Sequence, residues 1–272
     1  MTALVPGAEP WSFTTQSFTT QSFTTQSHTG SHTASLSGGV LVIHGLTSNP
    51  DSMRGVAKAL AAAGFDVELP LLPGHGTVME DLIPVRWSDF VTTVETAYRT
   101  LAARVDKVVV VGLSLGGALT LRVGASHPDV AGLVCINPAA EPQIPEVIEL
   151  LQGMIDGGTE VMPGIRGDIA DPDATESGYD GTPLRTLFSL LVDGLAPMAG
   201  EYPGMKMPLL LMNSPQDHVV EPKQSEFLAA RYGGPIERIS LDRSFHVATL
   251  DYDKELIINS AVAFARRLTG SA

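Results

Sequence analysis

The hydrophobic positions of this chain fall into short apolar runs, and the stretches between them repeat with helical spacing. The apolar runs, together with an alternating stretch at 236–241, predict six strands, at residues 39–43, 65–70, 108–111, 132–136, 208–213 and 236–241. The helical spacing predicts helices at residues 51–63, 88–103 (with Ser88 as the N-cap), 118–122, 224–232 and 252–268. Because strands and helices alternate, we expect a mostly parallel sheet covered by helices on both faces.

Two segments break this alternation. Residues 12–26 are three copies of Ser-Phe-Thr-Thr-Gln, a period that fits neither a strand nor a helix, and we expect residues 1–37 to form an N-terminal segment with a weakly ordered polar insertion. Residues 141–205 combine several prolines, short apolar patches and an acidic stretch at 168–180 that we expect to be solvated. This predicts a lid inserted into a core formed by residues 38–140 and 206–272.

Composition narrows the class of protein. The 272 residues carry a formal net charge of −13, which argues against nucleic acid and anionic lipid surfaces as partners. The single cysteine, Cys135, lies in an apolar run, so it predicts a buried small side chain and no disulfide within the chain. Since no apolar run reaches about 18 residues and the first residues lack a signal-peptide pattern, we expect a soluble cytoplasmic protein without a membrane span.

Candidate chemistry centres on Gly112-x-Ser114-x-Gly116, which stands between a predicted strand and a predicted helix. Strand, pattern and helix in that order form a nucleophile elbow, in which the serine occupies a very tight, strained turn. Such a turn leaves no room for bulky side chains two positions away. It also brings the Leu115 N–H to a helix N-terminus, where it can face a developing oxyanion. The alternative is an ordinary strand-to-helix turn that contains a serine.

A serine nucleophile needs a base, and the base needs a carboxylate that orients it. The order serine, acid, histidine along the chain favours Asp217 and His246, each of which follows a predicted strand of the second half. His218 is the rival base, but it adjoins Asp217 in sequence. Asp242 is the rival acid, but it lies on the same turn as His246.

The loop after the strand at 39–43 is of the kind that supplies the second oxyanion donor, and Leu46 is our candidate for it. His44 could serve as a base, but a histidine before a tight glycine turn is more typical of a structural role. His75 lies among turn residues in Pro73-Gly74-His75-Gly76, and we expect it to fix its loop rather than to take part in chemistry.

Five motifs follow one another along the chain: His44-Gly45-Leu46-Thr47, Pro73-Gly74-His75-Gly76, Gly112-Leu113-Ser114-Leu115-Gly116-Gly117, Asp217-His218-Val219-Val220, and Ser244-Phe245-His246-Val247-Ala248-Thr249-Leu250-Asp251. Together they resemble the bacterial carboxylesterases of the α/β-hydrolase superfamily, and most of all the small-lid esterase and monoacylglycerol lipase group. The resemblance covers about residues 38–268. Two features depart from it, namely Leu46, where many relatives have an aromatic residue, and the pentapeptide block, where relatives have only a short hairpin.

The resemblance implies the α/β-hydrolase fold, with a mostly parallel central sheet and a small inserted lid. It implies Ser114 as nucleophile, Asp217 as acid and His246 as base. The implied oxyanion hole consists of the backbone N–H groups of Leu46 and Leu115.

The expected function is hydrolysis of carboxylic esters with short to medium acyl chains, through an acyl-serine intermediate. Monoacylglycerols are one candidate substrate, the expected partner is a small apolar ester, and no metal or organic cofactor is needed. Carbon–carbon bond hydrolases and amidases use the same triad and stay open as alternatives. A non-catalytic binding protein with this fold is the alternative of another class, and the intact serine, aspartate and histidine count against it.

Overall fold

Seven strands form one central sheet in the computed structural model, which describes residues 2–15, 38–164 and 166–270. The sheet order is β1-β3-β2-β4-β5-β8-β9, and only β1 runs antiparallel to its neighbour. Within the described ranges, β6 and β7 form a separate antiparallel pair. The strands are β1 (Trp11–Phe13), β2 (Gly38–Ile43), β3 (Asp66–Leu69), β4 (Lys107–Leu113), β5 (Gly132–Ile136), β6 (Val161–Pro163), β7 (Gly181–Pro183), β8 (Leu209–Asn213) and β9 (Ile236–Ser240).

Helices cover both faces of this sheet, as the alternating pattern predicts. They are α1 (Asp51–Ala62), α2 (Trp87–Ala102), α3 (Leu115–Ser126), α4 (Pro145–Asp156), α5 (Leu184–Ser189), α6 (Ala196–Met198), α7 (Lys223–Arg231) and α8 (Lys254–Thr269). Short 3₁₀ turns lie at Met79–Asp81 and Tyr202–Gly204, and a π-helical turn, Leu190–Leu195, joins α5 to α6.

The pleat of the central strands divides the core into two layers. In β2, Val40 and Val42 pack into the layer beneath α1 and α8, while Leu41 and Ile43 pack into the layer beneath α2 and α3. All four side chains are fully buried, as expected for a parallel sheet covered on both faces. Because these strands are parallel, their carboxyl ends lie on the same side of the sheet, where ligands of such folds bind.

The segment between β5 and β8 contributes no described residue to the central sheet. It contains α4, the β6–β7 pair and the continuous helical stretch from α5 through α6. Residues 141–205, hereafter the insertion, fall within this segment. Their action as a lid stays a prediction.

Two local predictions are wrong. Ser12 and Phe13 of the first pentapeptide belong to β1, which pairs with β3. Stacking of Trp11 on Phe13 and a hydrogen bond of 2.8 Å from Ser12 Oγ to Glu68 Oε1 support this strand. Residues 16–37, with the remaining repeats, lie outside the described residues. Helix α2 has Arg86 as its N-cap rather than Ser88, and the Arg86 N–H donates to the side chain of Asp89 at 2.8 Å.

No helix in the described part of the chain is long and apolar enough to cross a membrane. Cys135 is buried within β5, as predicted, and burial raises the pKa of its thiol.

Candidate active site

Ser114 lies on the tight turn between β4 and α3, at the carboxyl end of a central strand. Its backbone has φ +57° and ψ −117°, a strained conformation for a residue with a side chain. The turn is fixed by a hydrogen bond from the Ser114 N–H to the carbonyl of Ile136, 3.0 Å away on the neighbouring strand. The Ser114 carbonyl accepts from the Ala118 N–H at 3.1 Å, which starts the helix.

The two glycines of the pattern are required by close backbone contact. A Cβ on Gly112 would lie 2.0 Å from the carbonyl oxygen of Gly116. A Cβ on Gly116 would lie 2.2 Å from the carbonyl oxygen of Ile43, at the end of the adjacent strand. Neither glycine has a positive φ, so the requirement is space rather than backbone freedom.

A buried imidazole–carboxylate pair stands at the same edge of the sheet. His246 Nδ1 lies 2.8 Å from Asp217 Oδ2, and the two side chains are 9% and 1% exposed. Because a carboxylate only accepts, Nδ1 carries a proton, and in the neutral ring Nε2 is then the acceptor. The other Asp217 oxygen accepts from the N–H groups of Val219 and Val220, both at 2.8 Å, which fixes the carboxylate.

The two rival residues have other partners. His218 Nδ1 lies 2.8 Å from Asp168 Oδ1 rather than turning back on Asp217, and its side chain is 55% exposed. Asp242 is exposed and bonds to the hydroxyl of Ser240. The expectation that residues 168–180 are solvated is wrong at Asp168, whose side chain is buried.

Asn137, which the sequence analysis named only as the end of a strand, connects the two loops of the pair. Its Nδ2 donates to the carbonyl of His246 at 2.8 Å and to the hydroxyl of Ser214 at 3.0 Å. Its Oδ1 accepts from the Ser214 N–H at 2.7 Å. Asn137 is buried and has φ +44°, a conformation that asparagine adopts more readily than most residues, but neither property can be read from the sequence.

Two backbone N–H groups are available near Ser114. Leu115 is the first residue of α3, so its N–H has no acceptor within the helix. The Leu46 N–H donates to no acceptor in the hydrogen bonds recorded among the described residues. Leu46 and Leu115 both line the cavity that Ser114 and His246 line.

His44 and His75 hold the loop that carries Leu46, as expected of structural histidines. His44 Nε2 accepts from the Leu72 N–H at 3.1 Å, and His75 Nε2 accepts from the Thr47 N–H at 3.1 Å. In each ring Nδ1 faces a backbone carbonyl, that of Gly45 or Pro73, so both rings are neutral with the proton on Nδ1.

Burial keeps these two rings uncharged. It lowers the pKa of His75 to about 4. Burial and the neighbouring His75 hold the pKa of His44 well below its ordinary value. With both nitrogens engaged, neither ring is free to take a proton from Ser114.

One cavity of about 460 Å³ opens over these groups. Apolar side chains of the insertion line much of it, among them Val147, Leu151, Leu187, Leu190, Leu191 and Leu195. Ser114, His246 and His218 line it from the core. Among the described residues, Ser114 Oγ makes no hydrogen bond to His246 Nε2. Contacts of this kind often tighten only when substrate binds.

A segment of the insertion, residues 168–179 (hereafter the strap), ties the cavity wall to the core. At one end the Asp168 carboxylate contacts His218 and His246. At the other end, Asn49 Nδ2 donates to the Ser177 carbonyl at 2.7 Å, and the Tyr179 N–H donates to the Thr47 carbonyl at 2.9 Å.

Comparisons with known proteins identify the family of this chain. The family profile Hydrolase_4, described as serine aminopeptidase S33, matches residues 34–253. The chain belongs to the Hydrolase_4 family. A thermostable monoacylglycerol lipase of Bacillus sp. (strain H-257) is 38% identical over 235 residues, which are 85% of this chain and 92% of the lipase. A carboxylesterase of Bacillus subtilis (strain 168) is 24% identical over 84% of this chain and 92% of its own length.

Solved structures place this Hydrolase_4 chain in the α/β-hydrolase fold. A structure from work on LipS and LipT, two metagenome-derived lipolytic enzymes, has a TM-score of 0.83 with 34% identity, and the match covers 97% of this chain and all of that one. The monoacylglycerol lipase of Paleococcus ferrophilus has a TM-score of 0.68 at 19% identity over 87% of this chain and 97% of its own, which is likeness of fold alone.

Proposed function

We propose that this chain is a serine hydrolase that cleaves monoacylglycerols and related esters of short to medium acyl chains. The observation that carries the proposal is one cavity of about 460 Å³ with an apolar wall, lined at its core side by Ser114 and by the buried His246–Asp217 pair. Its relatives include a monoacylglycerol lipase and a carboxylesterase.

In the first half of the proposed reaction, Ser114 Oγ attacks the ester carbonyl while His246 Nε2 takes its proton. Asp217 stabilises the imidazolium that forms, because it already holds Nδ1–H at 2.8 Å. The N–H groups of Leu46 and Leu115 receive the negative charge on the tetrahedral oxygen. His246 then gives the proton to the leaving alkoxide, and the acyl group stays on Ser114.

In the second half, His246 takes a proton from water as the water attacks the acyl-serine carbonyl. The tetrahedral intermediate collapses with return of the proton to Ser114, which releases the carboxylic acid. Each proton thus passes through one imidazole, and no metal or cofactor enters these steps.

The lining of the cavity favours a substrate with one apolar and one polar end. Leucines of the insertion suit an acyl chain, since burial of each methylene contributes about 0.8 kcal/mol. Glu176 also lines the cavity, and its Oε1 accepts from the Ser48 hydroxyl at 2.6 Å. We propose that the glycerol hydroxyls of a monoacylglycerol lie on this polar side and that residues 141–205 act as a lid over it.

Wild-type protein and Ser114→Ala test the proposal together. A panel should pair monoacylglycerols and p-nitrophenyl esters of matched acyl length with an anilide and a β-diketone, which represent the amidase and carbon–carbon hydrolase alternatives. We expect turnover of the esters only, absent in Ser114→Ala. We also expect a serine-directed phosphonate to modify the wild type at this residue. Preferred cleavage of the anilide or the diketone, or equal phosphonate labelling of Ser114→Ala, would contradict the assignment.

A further inference from the structure

One carboxylate of the strap reaches the backbone of the residue proposed as the base. Asp168 Oδ2 accepts from the His246 N–H at 3.0 Å and from the His218 N–H at 3.1 Å. The main-chain carbonyl of Asp168 accepts from the Val247 N–H at 3.0 Å. Since the Asp168 side chain is only 8% exposed, its oxygens are committed to these contacts rather than to solvent.

A second carboxylate makes the reciprocal contact from the core to the strap. Asp251 is fully buried, five residues after His246, and its two oxygens accept from the N–H groups of Ala170 and Asp171 at 2.7 and 3.1 Å. The same carboxylate accepts from the Phe245 N–H at 2.9 Å. The strap and residues 244–251, hereafter the histidine loop, are therefore joined by hydrogen bonds from backbone N–H groups to carboxylates, with one carboxylate on each side. Charged acceptors make such bonds stronger than those between neutral groups.

His246 is consequently held at three atoms by three separate parts of the chain. Asn137, at the end of β5, binds its carbonyl, and Asp217, after β8, binds its ring. The backbone N–H is bound by Asp168 alone among these, and Asp168 is the one holder that comes from the insertion. Removal of this contact leaves the buried N–H of His246 unpaired, so the loop has to move to find another acceptor.

We propose that Asp168 is a positioning residue for ester hydrolysis. It holds the backbone N–H of His246 and thereby sets the distance between the imidazole and Ser114. The insertion, which contains Asp168, is then part of the catalytic arrangement. The inference rests on the proposed function. The inference also extends the proposed function, because the insertion then governs the rate of the chemical step as well as access to the cavity. A displacement of about 1 Å at the reacting groups costs about 10²-fold in rate.

Three variants test this. Asp168→Ala removes all the side-chain acceptors, and we expect kcat to fall about 10- to 100-fold with KM within about threefold. Asp168→Asn keeps one carbonyl oxygen for the two N–H groups, and we expect it to recover at least half of that loss on a logarithmic scale. Asp173→Asn, an exposed carboxylate of the same strap without contact to the histidine loop, is the matched control and should behave as the wild type.

A second readout separates positioning from loss of stability. The proton between His246 Nδ1 and Asp217 gives a downfield NMR resonance, which should shift or broaden in Asp168→Ala and stay in place in Asp173→Asn. Urea unfolding of each variant identifies conditions in which all are folded, and Asp168→Asn decides the question if Asp168→Ala does not fold. Folded Asp168 variants with kcat within twofold of the wild type and an unmoved resonance would overturn the proposal. Absence of esterase turnover in the wild type would overturn the proposed function alone, because the resonance comparison needs no substrate.

Discussion

At the scale of single residues, two histidines near the cavity each face a carboxylate. The His246–Asp217 pair is buried and fixed by backbone donors, whereas the His218 ring is more than half exposed. A base that is shielded from water keeps one geometry and one tautomer, which proton transfer from Ser114 needs. These differences favour His246 as the base.

Exchange of each histidine for alanine tests this choice. We expect His246→Ala to lower kcat by at least about 10³-fold, because removal of a triad member leaves little more than oxyanion and binding effects. His218→Ala should keep more than about a tenth of wild-type kcat, since the Asp168 contact to the His246 N–H remains. Steady-state rates with p-nitrophenyl butyrate are the measurement. A larger loss in His218→Ala than in His246→Ala would reverse the assignment.

Residues that belong to a local sequence motif could be predicted. Residues whose role depends on a contact with a distant part of the chain, such as Asn137 and Asp168, could not. Gly112 and Gly116 stand in a fixed pattern around the serine, and the structure gives the cause, since a Cβ at either position would lie only 2.0 or 2.2 Å from a backbone carbonyl oxygen. Asn137 and Asp168 bind a loop that is more than 75 residues away in sequence. Nothing in a single sequence records such a pairing, and the acidic composition around Asp168 indicated solvent instead.

At the scale of elements, the helical stretch from α5 through α6 contains a π-helical turn where it lines the cavity. The π-helical turn Leu190–Leu195 contributes Leu190, Leu191 and Leu195 to the cavity wall. Its Gly194 lies against the indole of Trp87, where a Cβ would come within 2.9 Å of the ring. Such turns are frequent at functional sites, and this one turns leucines toward the space that an acyl chain would fill.

A larger side chain at this turn should shorten the preferred acyl chain. We expect Leu191→Trp to lower kcat/KM for decanoyl esters at least about tenfold while acetyl esters change less than about threefold, because a long chain alone needs the occupied volume. Leu150→Trp is the matched control, since Leu150 is exposed on α4 and does not line the cavity. A p-nitrophenyl ester series from acetyl to decanoyl provides the measurement. Equal losses at every chain length would remove the π-helical turn from the acyl site.

The core strands and most core helices were predicted to within two residues of their ends, but the helix predicted at 118–122 extends over Leu115–Ser126, and neither β1 nor the elements of the insertion were predicted. Strand β1 has only three residues, two of them in the first repeat, and so short a stretch gives no periodic signal. It exists through pairing with β3 at the edge of the sheet. Thr15 reinforces that edge, because its N–H and hydroxyl donate to Asp66 at 2.8 and 2.7 Å. Such tertiary pairing overrides local preference.

At the scale of the whole molecule, the described residues on either side of residues 16–37 lie at the amino ends of the neighbouring strands, away from the cavity. These residues are Thr15, in the first repeat and beside Asp66 at the start of β3, and Gly38, at the start of β2. Ser114 lies at the carboxyl ends of the strands, at the opposite edge of the sheet. The two flanking points are two strand spacings apart, about 10 Å.

Replacement of residues 17–36 by a short Gly-Ser linker should therefore leave catalysis intact. We expect kcat and KM for butyryl and decanoyl esters to stay within about twofold, because surface insertions carry little thermodynamic weight. The rival hypothesis holds that phenylalanines of the repeats close the substrate cavity. In that case the replacement raises KM severalfold for decanoyl esters alone, and the same kinetic series separates the two.

The neutral histidine pair gives the whole fold a pH dependence. His75 has a pKa of about 4 when folded and an ordinary value of 6.5 when unfolded, so the unfolded chain binds more protons between these values. This contribution to the free energy of unfolding is thus complete above pH 6.5 and declines as the pH falls toward 4. Between pH 7 and pH 5 the loss from His75 is about 2 kcal/mol.

Urea unfolding at pH 7 and pH 5 checks this expectation. His75→Gln keeps an acceptor for the Thr47 N–H but does not titrate, so its stability should fall about 2 kcal/mol less than that of the wild type over this interval. Lys58→Gln, at a site away from both histidines, serves as the control for an altered net charge. Identical pH dependence in His75→Gln and wild type would show that the ring is not held neutral.

The strap also limits how this enzyme can be recombined. A chimera that exchanges residues 141–205 for the corresponding segment of another hydrolase replaces Asp168 and the Ala170 and Asp171 amides together. It removes the Asp168 acceptor of the His246 N–H and leaves Asp251 only its contacts within its own loop, such as that to the Phe245 N–H. The unit that can be transplanted is therefore only part of the apolar wall. A graft that starts after Tyr179 and ends before Met205 carries Leu187, Leu190, Leu191 and Leu195, and it leaves Asp168 and Asp251 in place with the core.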